Sequence, residues 1–468
     1  MDKILQVVIP MAGLGTRFSS YGFKQNKYLL PIDTNLTPMI EMAILSLGIN
    51  VPAKYFFIIN EEYGVDGNLR VILHDISYKH GFDYVITSVN KLTEGPACTV
   101  SHIEQFIDKT APMLISNSDQ VLSWSFDRFH AICKDPAYDG CLLTYTPNYR
   151  LILGEKDKHS FLRLDSAGNV VQCAEKIVLS DQALVGTHYI AVADDFFSAY
   201  RYMVEYNMRA PNGEFYISLV YQAMIEQGKR ISYYDLTEDE VFYPVGEPQD
   251  YFDYLYHPNG GKYECEFLQP SGSIFQDGFS WYTKNQDASI VIKTYQEDGQ
   301  DWNEIEEYGL FILLDGSAES WNHIENSWVS LNLYDISNSH RVRVKSNTRY
   351  AFIQHVDIEH CSHGRWNRSN FTRGWFLGNF EPSLYKTSDF EVGLLIHHAD
   401  EKWDYHYHKE AEETNVLLKG KMKINEQLIE AGAVFQFPKN QIACPIFLED
   451  CHILCIKEPC VIGDKYCI

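Results

Sequence analysis

The chain has 468 residues, 45% hydrophobic and 22% charged, too long for one ordinary core and pointing to two or three domains. Lys and Arg number 39 against 63 Asp and Glu, a formal net charge of -24. Such a surface repels nucleic-acid backbone and anionic lipid, so neither is expected as a partner, and a phosphate-bearing ligand needs a local basic pocket. No apolar run approaches the ~18 residues of a membrane span. Met1 to Pro10 lacks a basic segment followed by a long apolar one, so no secretion signal is expected. The cysteines number 11 and include no CxxC pair, which reads as reduced thiols in a cytoplasmic protein. Sequons at Asn367 and Asn370 carry no meaning in that compartment.

In chain order, Leu5 to Ile9 is a short apolar run ending at Pro10 and a glycine-containing turn. Thr37 then predicts an N-cap with Pro38 in the first helical position, and the apolar stretch Met39 to Leu47 stops at Gly48. Tyr55 to Ile59, Tyr84 to Ile86 and Met113 to Ile115 read as strands, with a helix over Ala97 to Phe106 before the last. This alternation predicts an α/β domain with a Rossmann-like, mostly parallel sheet over residues 1–257.

Beyond His257-Pro-Asn-Gly-Gly261 no sustained helical periodicity remains. Strands are expected at Ser289 to Thr294, Leu310 to Leu314, Trp328 to Leu333, Arg341 to Lys345 and Tyr350 to Ile353. A polar, aromatic-rich interruption from Glu359 to Arg373 follows, then strands at Glu391 to Ile396, Thr414 to Leu418, Val434 to Phe437 and Ile453 to Lys457. Closely spaced strands with turns between them predict an all-β region, a β-sandwich or jelly roll, divided into 262–357 and 375–468. Leu310-Phe-Ile-Leu-Leu-Asp-Gly316 and Asn415-Val-Leu-Leu-Lys-Gly420 each end an apolar strand in a charged residue and Gly. They read either as two related β modules in tandem or as unrelated strands ending alike.

Met11-Ala-Gly-Leu-Gly-Thr-Arg-Phe18 follows the first strand directly. Gly13 and Gly15 let backbone N–H groups approach an anion, and Arg17 adds a fork-shaped charge suited to phosphate oxygens. A dinucleotide fingerprint needs a small residue where Phe18 stands, and a Walker A loop needs Gly-Lys-Ser/Thr, so both are excluded.

This loop, together with Lys27-Tyr-Leu-Leu-Pro-Ile32 and Thr37-Pro-Met-Ile-Glu41, resembles the opening of the sugar-phosphate nucleotidyltransferases. The similarity continues in order through Thr93-Glu-Gly-Pro-Ala97, Ser116-Asn-Ser-Asp-Gln120, Glu175-Lys176, Leu184-Val-Gly-Thr187 and Glu214-Phe-Tyr-Ile217. The resemblance implies a reaction of a nucleoside triphosphate with a sugar phosphate, and it assigns roles. Ala12, Gly13, Gly15, Arg17, Lys27, Gly95 and Ala97 would bind nucleotide. Arg17, Lys27, Asp119 and Lys176 would be catalytic, with Asp119 holding Mg2+. Glu175, Lys176 and Gly186 would face the second substrate. Taken alone, Asp119 also fits a helix or turn cap, and Tyr216, among Phe215, Ile217 and Leu219, fits core packing. The family's second metal ligand comes from an aromatic-x-Asp-x-Gly-Thr-Pro segment. The matching stretch here is Phe242-Tyr-Pro-Val-Gly-Glu-Pro248, with Pro244 at the Asp position, so that either one Asp suffices, another carboxylate such as Glu247 or Asp250 substitutes, or activity is altered.

Near the end, His406-Tyr-His408-Lys-Glu-Ala-Glu-Glu413 followed by Gly420 resembles the first cupin motif. That resemblance implies His406, His408 and Glu413 as ligands of a divalent transition metal or zinc. The second cupin motif's His falls on Ala443, which leaves three ligands at most. The expected function is synthesis of an NDP-sugar for surface polysaccharide, with a β region that binds, isomerises or epimerises a sugar or holds a homo-oligomer together. Alternatives are a bifunctional mannose-1-phosphate guanylyltransferase and mannose-6-phosphate isomerase-like enzyme, or a silent sugar-nucleotide scaffold.

Overall fold

The computed structural model describes residues 3–61, 68–146, 159–256, 274, 278–286, 288–296, 301–305, 309–354, 364–424 and 427–468. The chain divides into two units, Met1–Lys262 and Tyr263–Ile468. The expected linker His257–Gly261 and part of the Glu359–Arg373 interruption lie outside the described residues.

The first unit runs β1 (Leu5–Met11), α1 (Thr16–Tyr21), α2 (Met39–Ser46), β2 (Ala53–Asn60), α3 (Asn68–His80), β3 (Asp83–Val89), α4 (Pro96–Ser101), β4 (Met113–Ser116) and β5 (Gln120–Ser123). It continues α5 (Phe126–Cys133), β6 (Gly140–Tyr145), β7 (Ser160–Leu164), β8 (Val170–Glu175), β9 (Ala183–Ile190), α6 (Ala193–Glu205), α7 (Ile217–Glu226), β10 (Ile231–Asp235), β11 (Val241–Pro244) and α8 (Pro248–Tyr256). The main sheet has the order β10-β6-β9-β4-β1-β2-β3, with β9 antiparallel to both its neighbours and the other pairs parallel. β1 shows why its sequence is continuously apolar. Val8 packs with Ala97, Val100 and Phe197 on one face of the sheet, while Val7 and Ile9 pack with Ile40, Ile44 and Leu73 on the other.

Three local expectations are corrected. Pro38 is itself the N-cap of α2, because Thr37 is drawn into the preceding turn, where its N–H and that of Asn35 donate to Asp33 Oδ1. The helix expected to reach Phe106 ends at Ser101 and gives way to turns. The 13-residue α3 was not expected. Its polar residues obscure the period, and it is fixed from outside by Lys79 and His80, which contact buried Glu41 of α2 at 2.6 and 2.8 Å.

The second unit is all-β among its described residues, apart from short helical turns. Ser289–Thr294, Arg349–Gln354, Leu310–Asp315 and Asp335–Ser337 lie side by side, each antiparallel to the next. Glu391–His397, Cys451–Glu458, Glu412–Lys419 and Val434–Phe437 repeat that arrangement in the same chain order. The two look-alike stretches occupy the same place in each set. The register slips after Leu313 in one and after Leu417 in the other, and the turns that follow need glycine, Gly316 at φ 88 and Gly420 at φ 94. One core joins the two sets, with Ile290, Ile312 and Ile353 against Leu394, Val416 and Leu454. The expected strand to Leu333 stops at Ser330, and Asn367 and Asn370 form a capping box on a short helical turn.

Candidate active site

The carboxyl ends of β1 and β4 open onto a cavity of about 720 Å³. Such a strand-end crevice is where open α/β sheets place ligands. Gly15, at φ 63, turns the chain into α1, and its carbonyl accepts from the N–H groups of Phe18 and Ser19. Arg17 leaves the first turn with its side chain 66% exposed and pairs with Glu247 at 2.9 Å. Lys27 enters from the other side of the loop, only 14% exposed, and its Nζ donates to Asp119 Oδ2 at 2.6 Å. Burial opposes the charge on Lys27, but the Asp119 carboxylate outweighs it and the amine pKa is raised.

Asp119 lies in the turn between β4 and β5, and its carbonyl accepts from Val245 N–H at 3.1 Å. β11 pairs with β5 so that Pro244 stands opposite Gln120, which carries Phe242 to Glu247 alongside Asp119. A Cβ on Gly246 would lie 3.0 Å from Asp119 Oδ2. Only glycine therefore leaves that carboxylate an open flank. Pro244 presents no ligand atom, while Glu247 and Asp250 line the same cavity.

On the opposite side, Glu175 ends β8 as a buried carboxylate. Burial raises its pKa, and the Ser160 and Ser218 hydroxyls, both donating to Oε2, work against that rise. Lys176 adopts φ 59, and its Nζ stands 5.5 Å from the centroid of the Tyr216 ring. Gly186 lets the Asn117 and Gln120 side chains close up, since a Cβ there would meet Asn117 Nδ2 at 2.0 Å. Two buried polar atoms lining this region, Gln120 Oε1 and His188 Nδ1, have no hydrogen-bond partner among the described residues. Burial pushes His188 down to about 4, so its ring is neutral near pH 7.

The structure thus brings Ala12, Gly13, Arg17, Lys27 and Gly95 into one cavity with Asp119, Glu175, Lys176 and Gly186. Gly15 shapes the turn without lining it. Ala97 is buried in the core beside the cavity rather than in its lining, and its N–H donates to the Phe215 carbonyl at 3.1 Å. Tyr216, expected in the core, packs against it and also lines the cavity. Sequence reasoning missed Ser160, Ser218 and His188. Lone serines and a histidine within strand or helix carry no spacing signal, and only tertiary contact gives them a role.

The expected cupin-like set, His406, His408 and Glu413, lies in the second unit. Among the described residues, no group of three His, Cys, Asp or Glu side chains is placed to hold a metal ion. His408 Nε2 approaches Glu413 Oε2 at 3.4 Å, and His406 Nδ1 bonds the Asp404 carbonyl at 3.0 Å, with the centroids of the two imidazole rings 5.8 Å apart. Ala443 is bonded through its backbone to His406 in both directions and adds only core packing. No helix of the described residues is long and apolar enough to cross a membrane.

Neither a protein-family model nor a curated protein matches the chain. Among solved structures, a nucleoside-diphosphate-sugar pyrophosphorylase from Vibrio cholerae RC9 is 26% identical, over 53% of this chain and 99% of that one, with a TM-score of 0.45. The inositol-1-phosphate CTP transferase of T. maritima is 13% identical over 53% and 91%, with a TM-score of 0.42. A UDP-glucose pyrophosphorylase complexed with UDP-glucose is 17% identical over 53% and 96%, also with a TM-score of 0.42.

Proposed function

We propose that residues 1–257 form a nucleotidyltransferase that joins a nucleoside triphosphate to a sugar 1-phosphate, or a related phospho-alcohol, releasing pyrophosphate. The observation that carries this reading is the meeting of Lys27 and Asp119 at 2.6 Å in one cavity with Arg17 and Lys176. Arg17, Lys27 and Lys176 are the groups there that can meet phosphate charge, and because carboxylates also line the cavity a phosphate ligand would need a bound cation beside them.

In this reading an acceptor phosphate oxygen attacks the α-phosphorus in line. The new P–O bond forms as the bond to the β-phosphate oxygen breaks, and the electron pair leaves with pyrophosphate. Such a transfer needs alignment and charge neutralisation more than covalent help. Arg17 exchanges Glu247 for the departing pyrophosphate, Lys27 faces the α-phosphate, and Lys176 faces the acceptor phosphate. Glu175, Gln120 Oε1 and the neutral His188 ring offer partners for hydroxyl groups. Two buried atoms without partners cost free energy until such a ligand arrives, on the order of 1–3 kcal/mol each. Asp119, with the flank that Gly246 leaves open, is the oxygen donor that would hold Mg2+, with phosphate and water oxygens rather than further carboxylates as its other partners. When bound, Mg2+ neutralises phosphate charge beside Asp119.

The second unit is read as two jelly-roll-like halves that bind or isomerise a sugar, or hold a homo-oligomer together, within a cytoplasmic enzyme for surface polysaccharide. The test is pyrophosphate release from purified full-length protein with a panel of triphosphates and sugar phosphates. Release with at least one pair is expected. Nucleotide binding without release from any pair would favour the silent scaffold. His406→Ala is expected to leave that release within about twofold of the parent, and a loss in a folded variant would tie the second unit to the chemistry.

A further inference from the structure

We propose that the second half of the β unit supplies its own cation, the Lys457 ammonium, where a cupin-like module would hold a metal, and that it therefore takes no divalent ion. The register places Lys457 directly across from Glu391 on one neighbouring strand and from Glu413 on the other. Side chains of paired residues stand on the same sheet face, so the three form one row. That face is the interior of this half, because Ile453 and Cys455, which alternate with Leu454 and Ile456, belong to its own core.

Lys457 Nζ lies 3.4 Å from Glu413 Oε2 and 3.8 Å from Glu391 Oε1. The first of these oxygens is the one that His408 Nε2 approaches at 3.4 Å. The remaining acceptors are also engaged. Asn415 Nδ2 donates to Glu413 Oε1 at 2.8 Å and Cys460 Sγ donates to Glu391 Oε2 at 3.3 Å, while His408 Nδ1–H donates to the Asp464 carbonyl at 2.6 Å. The lysine, Glu391 and Glu413 side chains are 13 to 16% exposed, so water screens the charges little. A zinc-type ion would have to sit about 2.0–2.2 Å from Glu413 oxygen and imidazole nitrogen. At that place it would face the ammonium across one carboxylate oxygen and be repelled by it.

The test is metal analysis of the full-length chain grown with added zinc, cobalt, nickel and manganese, followed by Co2+ titration of chelator-treated protein read by visible absorption. The parent is expected to give the same metal content and the same titration as His408→Ala. A stoichiometric ion that is lost in His408→Ala would overturn the proposal. Lys457→Met keeps an unbranched side chain, one atom shorter, and removes its charge. It is expected to gain a cobalt band, with at least tenfold tighter binding than the parent, and to lose both when His408→Ala is added. Should the single variant not fold, Lys457→Met with Glu391→Gln removes the carboxylate left without a partner and is read in the same way. A folded variant of either kind that gains no cobalt would also overturn the proposal, since the lysine would then not be what keeps metal out.

Discussion

Asp119→Asn is expected to lower pyrophosphate release by at least about 1,000-fold while leaving the protein folded. The substitution changes charge and almost nothing in shape. The backbone carbonyl of Asp119 still accepts from Val245, so β5 and β11 remain joined. The side-chain amide oxygen can still accept from Lys27, whose pairing at 2.6 Å is partly exposed to water through an aspartate side chain 24% accessible. The folding penalty is therefore on the order of 1–2 kcal/mol, well below the cost of leaving a fully buried charge alone. The chemical penalty is larger, because removing one preorganised group from a forming charge costs about 100 to 1,000-fold, and Asp119 both positions Lys27 and is the proposed Mg2+ ligand. Arg17→Ala should follow the same direction with no change in melting temperature, since its guanidinium is mostly in solvent and holds only Glu247. Turnover within tenfold of the parent in a folded Asp119→Asn protein would sink the assignment of that residue.

The parts of this site legible in the sequence are those that backbone constraint writes locally. Gly15 and Gly95, both at positive φ, announce turns that other residues rarely make, and Arg17 and Lys27 stand at short intervals after the first of them. The strands β1, β2 and β4 are legible because a strand covered on both faces must be apolar throughout. What escaped were residues whose role arises from pairing across the fold. Ser218 and Ser160 meet at Glu175 from α7 and β7, and His188 reaches the cavity from the middle of β9. α3 escaped because its anchor, Glu41, lies far back in the chain. Glu413 shows the same limit. Its spacing from His406 and His408 resembles a ligand set, but spacing cannot show that Lys457, far along the chain, reaches the same carboxylate.

Gly95→Ala is expected to destabilise the first unit and to weaken triphosphate binding together, whereas Gly13→Ala should separate the two effects. Gly95 has φ 127 and ψ 171, a region that side chains bearing a Cβ rarely enter, at a cost of about 1–3 kcal/mol. A Cβ there would also lie 2.5 Å from the Phe215 carbonyl oxygen, a backbone atom that cannot swing aside as a side chain can. The Thr93–Pro96 loop is bound to that same residue on both sides, through Ala97 N–H to the Phe215 carbonyl and Phe215 N–H to the Glu94 carbonyl. Relief of the clash must push the loop and the start of α7 apart, and with them Gly95 and Tyr216 on the cavity wall. A loss of about 2–4 kcal/mol follows, a fall of about 5–10 °C in melting temperature for a unit of this size, with KM for the triphosphate raised at least about tenfold. At Gly13 the nearest atom to a new Cβ is Tyr28 Oη at 3.9 Å, so no clash arises and stability should hold within about 0.5 kcal/mol. If triphosphate approaches this loop through its backbone N–H groups, the added methyl at Gly13 stands in its way, and KM alone should rise. Calorimetry and initial-rate kinetics on the two variants separate these cases. A Gly95→Ala protein as stable and as active as the parent would refute the close approach of the loop to Phe215.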